Sequence, residues 1–249
     1  MPSAKSLVIR LIDSRTASSF IRSHHYSGKV VQNSLVHFGV YWEGRLEGAL
    51  SFGPSLDKSK VRGIVRNTGW NGFIELNRMA FTDALPRNSE SRAISICLRL
   101  LRKHAPHLRW VISFADGTQC GDGTIYRASG FLLTGLHQSV DLARLPNGDV
   151  VHSLTLKSQP TKPRAELGGR SFFQVTGGSF NFKRYVAEAK AELMKGWQFR
   201  YVFLLDPAAR AELTVPVIPF DRIDEVGGGI YKGEKISRAE RSVPQAREA

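Results

Sequence analysis

The chain has 249 residues, of which 42% are hydrophobic, and this composition is typical of a globular protein and argues against disorder throughout. A formal net charge of +13 and a pI near 10.1 would concentrate phosphate-bearing partners, nucleic acid foremost. The cysteines, Cys97 and Cys120, lack the spacing of a zinc site or a disulfide framework. The first twenty residues lack the apolar core of a secretion signal, and no apolar run reaches the length of a membrane span. We therefore expect a reducing, cytoplasmic location.

Apolar periodicity and turn signals predict alternating strands and helices along the first two thirds of the chain. The expected strands cover residues 7–11, 36–42, 46–52, 73–81, 110–114, 131–136 and 150–156. The expected helices begin at Ser14 or Thr16 and run through Ile21, cover residues 92–103 with Ser89 or Ser91 as cap, and surround Tyr126. Gly28 is expected in a left-handed conformation after the first helix.

A change of composition after Ser158 predicts a boundary, because residues 159–164 have the polar, proline-containing sequence of a linker or surface loop. Beyond it we expect a helix over residues 183–194, a strand over residues 199–205 and a loose, charged end from Gly233 onward. The predicted organisation is a catalytic core over residues 1–158 and a packed extension over residues 159–249.

The segment from Pro86 into the following helix has the composition of an anion-binding loop, because a helix that begins after small polar residues offers unpaired backbone N–H groups. The candidate contacts for a phosphate-bearing donor are Arg87, Asn88, Ser89, Ser91 and Arg92. An ordinary capped helix on a basic protein is the alternative interpretation.

The order of strand, anion-binding loop, helix, strand and polar loop is followed by Tyr126-Arg127-Ala128-Ser129-Gly130-Phe131. This order resembles the acetyltransferase-like GNAT superfamily. The resemblance implies an α/β fold in which a central mixed, mostly antiparallel sheet is flanked by helices, with Gly130 ending a helix and Phe131 entering the core. The usual glycine-rich pyrophosphate loop is replaced by asparagine, serine and glutamate, which departs from the pattern for coenzyme A binding.

Several short strings narrow the resemblance to one family. They are His24-His25-Tyr26, Glu75-Leu76-Asn77-Arg78, Asp83, Pro86 to Ser91, Ser113-Phe114-Ala115-Asp116, Gly123-Thr124-Ile125-Tyr126 and Arg200-Tyr201. Together they resemble the Mom family of phage DNA-modification proteins from about residue 20 to Lys235. The resemblance implies a phage enzyme that adds a carbamoylmethyl (methylcarbamoyl) group to the exocyclic amine of DNA adenines and so protects DNA from restriction nucleases. It also implies an association with iron, for which the matching residues are His25, Tyr26 and Asp116.

An imidazole, a phenolate and a carboxylate form a mixed nitrogen and oxygen ligand set that suits iron. A histidine at a helix end and a tyrosine packed nearby are the simpler interpretation of His25 and Tyr26. For Asp116, the roles of general base, metal ligand, hydrogen-bond acceptor and turn cap all remain open.

The other candidate catalytic residues are hydroxyls and strand polar groups. Ser113 would polarise a carbonyl, and Tyr126 would protonate a leaving group. Glu75 and Asn77 are expected on one face of their strand and Arg78 on the other. Direct catalysis by Glu75 and a structural pair between Glu75 and Arg78 are both open.

Modification of a paired base requires that the base leave the duplex, so a DNA surface is also expected. Its candidates are Lys58, Lys60, Arg62, Arg66 and Trp70, with a solvated loop as the alternative. The donor is either a glycyl-tRNA, which fits the basic surface, or an acyl-coenzyme A, which fits the fold. An N-acetyltransferase of proteins or small amines and a non-catalytic DNA-binding protein are the competing functions. The oligomeric state stays open, with a dimer as one option.

Overall fold

The computed structural model describes residues 3–117, 121–228, 230–231 and 234–235. Its strands are β1 (Val8–Leu11), β2 (Val36–Trp42), β3 (Arg45–Gly53), β4 (Phe73–Phe81), β5 (Trp110–Asp116), β6 (Leu132–Arg144), β7 (Val150–His152), β8 (Glu192–Leu204), β9 (Ile230–Tyr231) and β10 (Glu234–Lys235). Its α-helices are α1 (Ser14–His24), α2 (Lys58–Arg62), α3 (Ser89–His104), α4 (Thr124–Ala128), α5 (Ser153–Ser158), α6 (Phe172–Thr176), α7 (Phe182–Glu188) and α8 (Arg222–Glu225). Cys120 and most of the predicted loose end lie outside the described residues.

One eight-stranded sheet organises the fold, with the strand order β1-β2-β3-β4-β5-β8-β6-β7. Strands β1 to β4 pair antiparallel in chain order, and β6 pairs antiparallel with β7. The β2–β3 turn is Glu43-Gly44, where both residues have positive φ, as the tight turn of a twisted hairpin requires. The sheet is therefore mixed and mostly antiparallel, as predicted.

Strands β4 and β5 are connected through helix α3. Strands β4 and β5 are parallel, and their paired residues run from Phe73 with Trp110 to Glu75 with Ile112. The apolar face of α3 is buried, with Ala93, Ile94, Leu98 and Leu101 almost inaccessible. The predicted α/β fold, with a central mixed, mostly antiparallel sheet flanked by helices, is confirmed.

Two compact units can be distinguished in the chain. Unit 1 comprises residues 1–114, 123–135 and 200–220, and its core includes Phe73 stacked on Trp110 at 4.4 Å. Unit 2 comprises residues 115–122, 136–199 and 221–249, and its core is built around Leu156, Phe172 and Tyr185. The predicted division at Ser158 stays a prediction.

Helix ends account for several differences from the predicted elements. Helix α1 is capped by Asp13, whose Oδ1 accepts from the Thr16 N–H at 2.9 Å, so neither Ser14 nor Thr16 is the cap. Helix α3 begins at Ser89 after Asn88, which makes no side-chain cap bond, so the predicted serine cap is also wrong. Gly28 has the predicted positive φ of 58°. Gly130 is likewise left-handed, and Phe131 after it is buried as expected.

Two predicted elements after residue 130 are wrong in extent. The strand expected over residues 150–156 stops at His152, because the His152 ring accepts from the Leu154 N–H and starts α5. The helix expected over residues 183–194 stops at Glu188, since Lys190 has a positive φ of 50° and β8 begins at Glu192. Strands β6 (Leu132–Arg144) and β8 (Glu192–Leu204) are also longer than the strands predicted over residues 131–136 and 199–205.

Candidate functional site

Ser113 on β5 connects β4 to α4. Its side chain is fully buried, and its Oγ lies 3.1 Å from the Leu76 carbonyl and 2.9 Å from the Tyr126 hydroxyl. The serine hydroxyl can donate its single proton to either oxygen, and when it donates to the Tyr126 oxygen the tyrosine keeps its own proton for another acceptor. Two predicted catalytic hydroxyls are thus brought together, and the serine holds the tyrosine.

Aromatic stacking fixes the position of Tyr126. Its ring lies 5.1 Å from Tyr201 and 5.4 Å from Phe131, measured between ring centroids. Gly123 at the start of α4 has a φ of +75°, and a Cβ there would come within 2.6 Å of the Tyr201 ring. A glycine is therefore required for α4 to reach Tyr201, which explains why these residues occur together.

Glu75 lies in a buried polar cluster on β4. Burial raises the pKa of the Glu75 carboxyl, while hydrogen bonds from Ser55 and Asn77 and the charge of Arg78 act in the opposite direction. Asn77 also accepts from the Ser34 hydroxyl at 3.1 Å. A carboxyl with a raised pKa in such a cluster is a candidate general base.

The backbone of Gly53 packs closely against the cluster around Glu75. A Cβ on Gly53 would lie 2.7 Å from the Asn77 Oδ1 and 2.7 Å from the Asn33 carbonyl oxygen. Asn33 and Asn77 both donate to the Pro54 carbonyl, at 3.4 and 3.5 Å. The sequence did not reveal Ser34 or Ser55 as cluster members, because they come from segments distant in sequence from β4.

Arg78 links β4 to the segment after α1. Its guanidinium donates to the carbonyls of Asn77 at 2.8 Å and Lys29 at 3.3 Å. These hydrogen bonds go to backbone atoms, so the side chain anchors the residues that follow His25. Arg78 thereby places a positive charge beside both Glu75 and His25.

His25 directly follows α1 as its C-terminal cap, and its ring is partly buried. Burial, followed by the charge of Arg78, lowers the His25 pKa to about 4, so the imidazole is neutral at physiological pH. Its Nδ1 lies 3.1 Å from the Ser27 backbone nitrogen and 2.8 Å from the Ser27 hydroxyl. The exposed Tyr26 ring lies 4.3 Å from the His25 ring.

These two side chains fit an iron ligand set in their chemistry, because a neutral imidazole and a phenolate oxygen are donors that suit iron. The nearby charge of Arg78 opposes a cation, and an anionic phenolate would offset it. Among the described residues, no group of three or more His, Cys, Asp and Glu side chains is arranged to hold a metal ion.

Asp116 ends β5 and belongs to unit 2. The next residue, Gly117, donates its N–H to the Trp197 carbonyl at 2.6 Å, and a Cβ on it would meet the Phe199 ring at 2.5 Å. The end of β5 is thus fixed against β8, and the role of Asp116 stays a prediction.

A groove follows α3 in unit 1. One cavity of about 360 Å³ is lined by Ala4, Lys5, Asn88, Ser91, Arg92, Ser95, Arg99 and Ala128. A second, of about 180 Å³, shares Ser95 and Arg99 and adds Leu98, Arg102, Ser129 and Phe203. We refer to the two together as the α3 groove. Its arginines recur at helical spacing on one face of α3, which gives the groove a basic wall.

Three of the five predicted donor-binding residues line the α3 groove. Asn88, Ser91 and Arg92 line it, and the Arg92 Nε is buried without a hydrogen-bond partner among the described residues. Arg87 is exposed outside the lining. Ser89 is fully buried, and its hydroxyl donates to the Pro86 carbonyl at 2.6 Å. Lys5, Arg99 and Arg102 were not predicted, although the spacing of the arginines from Arg92 could have indicated them.

The Trp70 surface, which comprises Lys58, Arg62, Trp70 and Asn71, lies on unit 1. The Lys58 ammonium is 4.9 Å and the Arg62 guanidinium 5.9 Å from the centre of the exposed Trp70 ring. Lys58 also donates to Asn71 at 2.9 Å, whereas Lys60 forms an ion pair with Asp57 at 2.7 Å. Arg66 donates to the Ala211 carbonyl at 3.4 Å. Of the five predicted nucleic-acid contacts, Lys58, Arg62 and Trp70 are brought together.

Comparison with known proteins identifies the family. The model of the Mom protein family matches residues 6–222. The methylcarbamoylase Mom of Escherichia phage Mu is 34% identical over 212 residues, which are 85% of this chain and 80% of that protein. The chain belongs to the Mom protein family.

Solved acetyltransferases resemble this Mom family member more distantly. The IAA acetyltransferase from Bacillus cereus has 10% identity and a TM-score of 0.42, over 80% of this chain and 99% of that one. The ribosomal-protein-S18-alanine N-acetyltransferase from Escherichia coli has 10% identity and a TM-score of 0.40, over 80% and 94%.

Membership of the Mom family supports a transferase as the general class of this protein. Within the described part of the chain, each helix is too short or too polar to cross a lipid bilayer.

Proposed function

We propose that this chain modifies DNA adenine by adding a carbamoylmethyl group to the exocyclic amine, and that the modification protects phage DNA from restriction nucleases. The observation that carries the proposal is the 34% identity with the phage Mu methylcarbamoylase over 85% of the chain. The buried cluster around Glu75, the Ser113–Tyr126 pair and the Trp70 surface support it. In this proposal, Glu75 is the base, Tyr126 is the proton donor, and the Trp70 surface binds the DNA phosphates.

The bond-forming step needs two proton movements. As the adenine nitrogen attacks the donor carbon, a new C–N bond forms and the nitrogen loses a proton, which Glu75 accepts. The leaving group departs with the electrons of its bond to that carbon and takes a proton from Tyr126. Ser113 then acts as a positioning residue, since its hydroxyl holds the tyrosine oxygen at 2.9 Å.

Atom balance favours a glycyl donor. A glycyl group and a carbamoylmethyl group contain the same atoms, so a transferred glycyl group needs an isomerising step but no oxidant. An acetyl group lacks the nitrogen and would need both an amine source and an oxidant. The α3 groove suits either class of donor, because Lys5, Arg92 and Arg99 can neutralise phosphates of a tRNA or of coenzyme A.

Labelled glycine tests the function and the donor together. The chain is expressed in a plasmid-bearing host fed with ¹³C,¹⁵N-glycine, and the plasmid is digested to nucleosides for mass spectrometry. We expect an adenine nucleoside that carries one added carbamoylmethyl group with the label of glycine. Unmodified adenine from soluble protein would contradict the function, whereas an unlabelled added group would contradict the glycyl donor alone.

We also propose that iron binds at His25, Tyr26 and Asp116. When bound, the metal would supply Lewis-acid or redox chemistry to the donor. We expect the purified chain to contain iron and to show a visible absorption band from an iron–phenolate bond. Tyr26→Phe should remove the band, and His25→Ala should lower the iron content at least about tenfold, as loss of a ligand does. His24→Ala, one residue away, is the matched control, and wild-type iron content in both variants would refute the site.

The Trp70 surface should contribute to DNA affinity in a salt-dependent way. Lys58→Ala and Arg62→Ala are each expected to lower the slope of log affinity against log salt by about 0.9, the value for one lost phosphate contact. Lys60→Ala should change the slope less, because its ammonium is already paired with Asp57. Fluorescence anisotropy with duplex DNA at several salt concentrations measures these slopes. Wild-type slopes for both Lys58→Ala and Arg62→Ala would show that the Trp70 surface does not bind DNA.

A further inference from the structure

An exposed phenylalanine lies in a tight turn of unit 2. Phe180 is 55% exposed and stands between α6 and α7 in the Phe180 turn, which we define as residues 177–181. One side of its ring packs against Phe173, with ring centroids 5.2 Å apart at 63°. The base of the ring is thus supported while the rest faces solvent.

Hydrogen bonds make the Phe180 turn rigid. The Gly178 N–H donates to the Phe173 carbonyl at 2.9 Å, and the Ser179 hydroxyl donates to the Thr176 carbonyl at 2.9 Å. Gly177 and Gly178 both have positive φ, which glycine adopts without strain. A rigid turn that presents one aromatic ring loses little conformational entropy when the ring enters a binding partner.

The surroundings of Phe180 are basic. The segment 168–190 contains four basic residues and one acidic residue, Glu188, which is paired with Arg170 at 3.1 Å. Lys183 and Arg184 follow Phe180 on the first turn of α7, and both are exposed. Among the described residues, neither forms an ion pair. A single aromatic ring beside two cations matches the stacked bases and phosphates of a nucleic acid. It matches the broad apolar surface of a protein partner less well.

We infer that Phe180 is a wedge that enters the base stack of duplex DNA while Lys183 and Arg184 bind the adjoining phosphates. This inference rests on the proposed function, since an enzyme acting on a paired adenine must open the stack to reach its amine. An apolar side chain inserted between base steps unstacks them and kinks or unwinds the duplex. The partner is therefore double-stranded DNA, and unit 2 contributes to its distortion.

A plasmid unwinding assay tests the wedge without knowledge of the target sequence. Relaxed plasmid is bound by the purified full chain, treated with topoisomerase I and resolved by its linking number. We expect the wild type and Phe180→Trp to shift the topoisomer distribution, and Phe180→Ala to lose at least about half of the shift at equal occupancy. Leu154→Ala, which also removes an exposed apolar side chain of unit 2, should behave as the wild type.

The phosphate contacts have a separate readout. The double variant Lys183→Ala, Arg184→Ala should lower the salt slope of DNA binding by about 1.8, as expected for two lost contacts. Circular dichroism and the melting temperature verify that each variant is folded. A full topoisomer shift with Phe180→Ala, or no shift with the wild type, would overturn the wedge.

The wedge and the proposed function can fail independently. Modified adenine together with an undiminished shift in Phe180→Ala would refute the wedge alone. A Phe180-dependent shift without any adenine modification would refute the proposed function and leave a DNA-distorting protein.

Discussion

Glu75→Gln is expected to lower the rate of adenine modification by about 10²- to 10⁴-fold, the usual contribution of a general base. Glutamine keeps the size of the side chain and can hydrogen-bond to Ser55 and Asn77, but it cannot accept the amine proton. The rate is measured from the yield of modified nucleoside at matched protein levels.

The same substitution should stabilise the fold at neutral pH. Because burial raises the Glu75 pKa, the folded protein holds this proton more tightly than the unfolded chain does. The free energy of unfolding therefore decreases as pH rises from the ordinary value of 4.5 through the raised pKa. Glu75→Gln should have the higher melting temperature at pH 7, and the difference should vanish below pH 4.5.

Glu43→Gln, in the exposed β2–β3 turn, serves as the control and should change neither quantity. A Glu75→Gln variant that modifies adenine within about twofold of the wild type would assign Glu75 to structure and not to catalysis.

Gly123→Ala is expected to destabilise the fold strongly. The substitution places a Cβ 2.6 Å from the Tyr201 ring at a φ of +75°. Left-handed strain costs about 1 kcal/mol, and overpacking against the buried ring adds about 1–3 kcal/mol. Gly148→Ala isolates the strain, since Gly148 has a φ of +89° and a Cβ added there would meet no atom within 4 Å.

Urea unfolding measures both free energies. We expect Gly148→Ala to lose about 1 kcal/mol and Gly123→Ala about 2–4 kcal/mol. Equal losses would show that Tyr201 does not constrain the start of α4. Gly123→Ala should also reduce modification, because a displaced α4 would break the hydrogen bond between Tyr126 and Ser113.

The sequence predicted the β2–β3 hairpin and the β4–α3–β5 unit well because their signals are local. The Glu43-Gly44 turn and the helical spacing of Ile94, Leu98 and Leu101 lie within single elements. Strands β6 and β8 were predicted too short. Their outer halves carry polar or mixed side chains, as in the stretch from Gln138 to Asp141, so the apolar pattern fades before the hydrogen-bonded ladder ends.

Short sequence motifs predicted part of the candidate site. The strings around Ser113 and Tyr126 supplied the two hydroxyls that the structure brings together, and the string around Glu75 supplied Glu75 and Asn77 of the buried cluster. Ser55, Lys5 and Arg99 could not be assigned in this way, because each becomes part of a site through contacts between segments distant in sequence. The distinction between Lys58 and Lys60 likewise depends on the ion pair with Asp57, which composition does not show.

Nucleoside analysis of plasmid DNA from cells that express either the wild type or Glu75→Gln tests the central claim most directly. Both proteins are confirmed as soluble and equally abundant before the plasmids are digested and analysed by mass spectrometry. The proposed function predicts adenine with one added carbamoylmethyl group in the wild-type sample and a strong reduction in the Glu75→Gln sample. An unmodified adenine pool in the wild-type sample would contradict it.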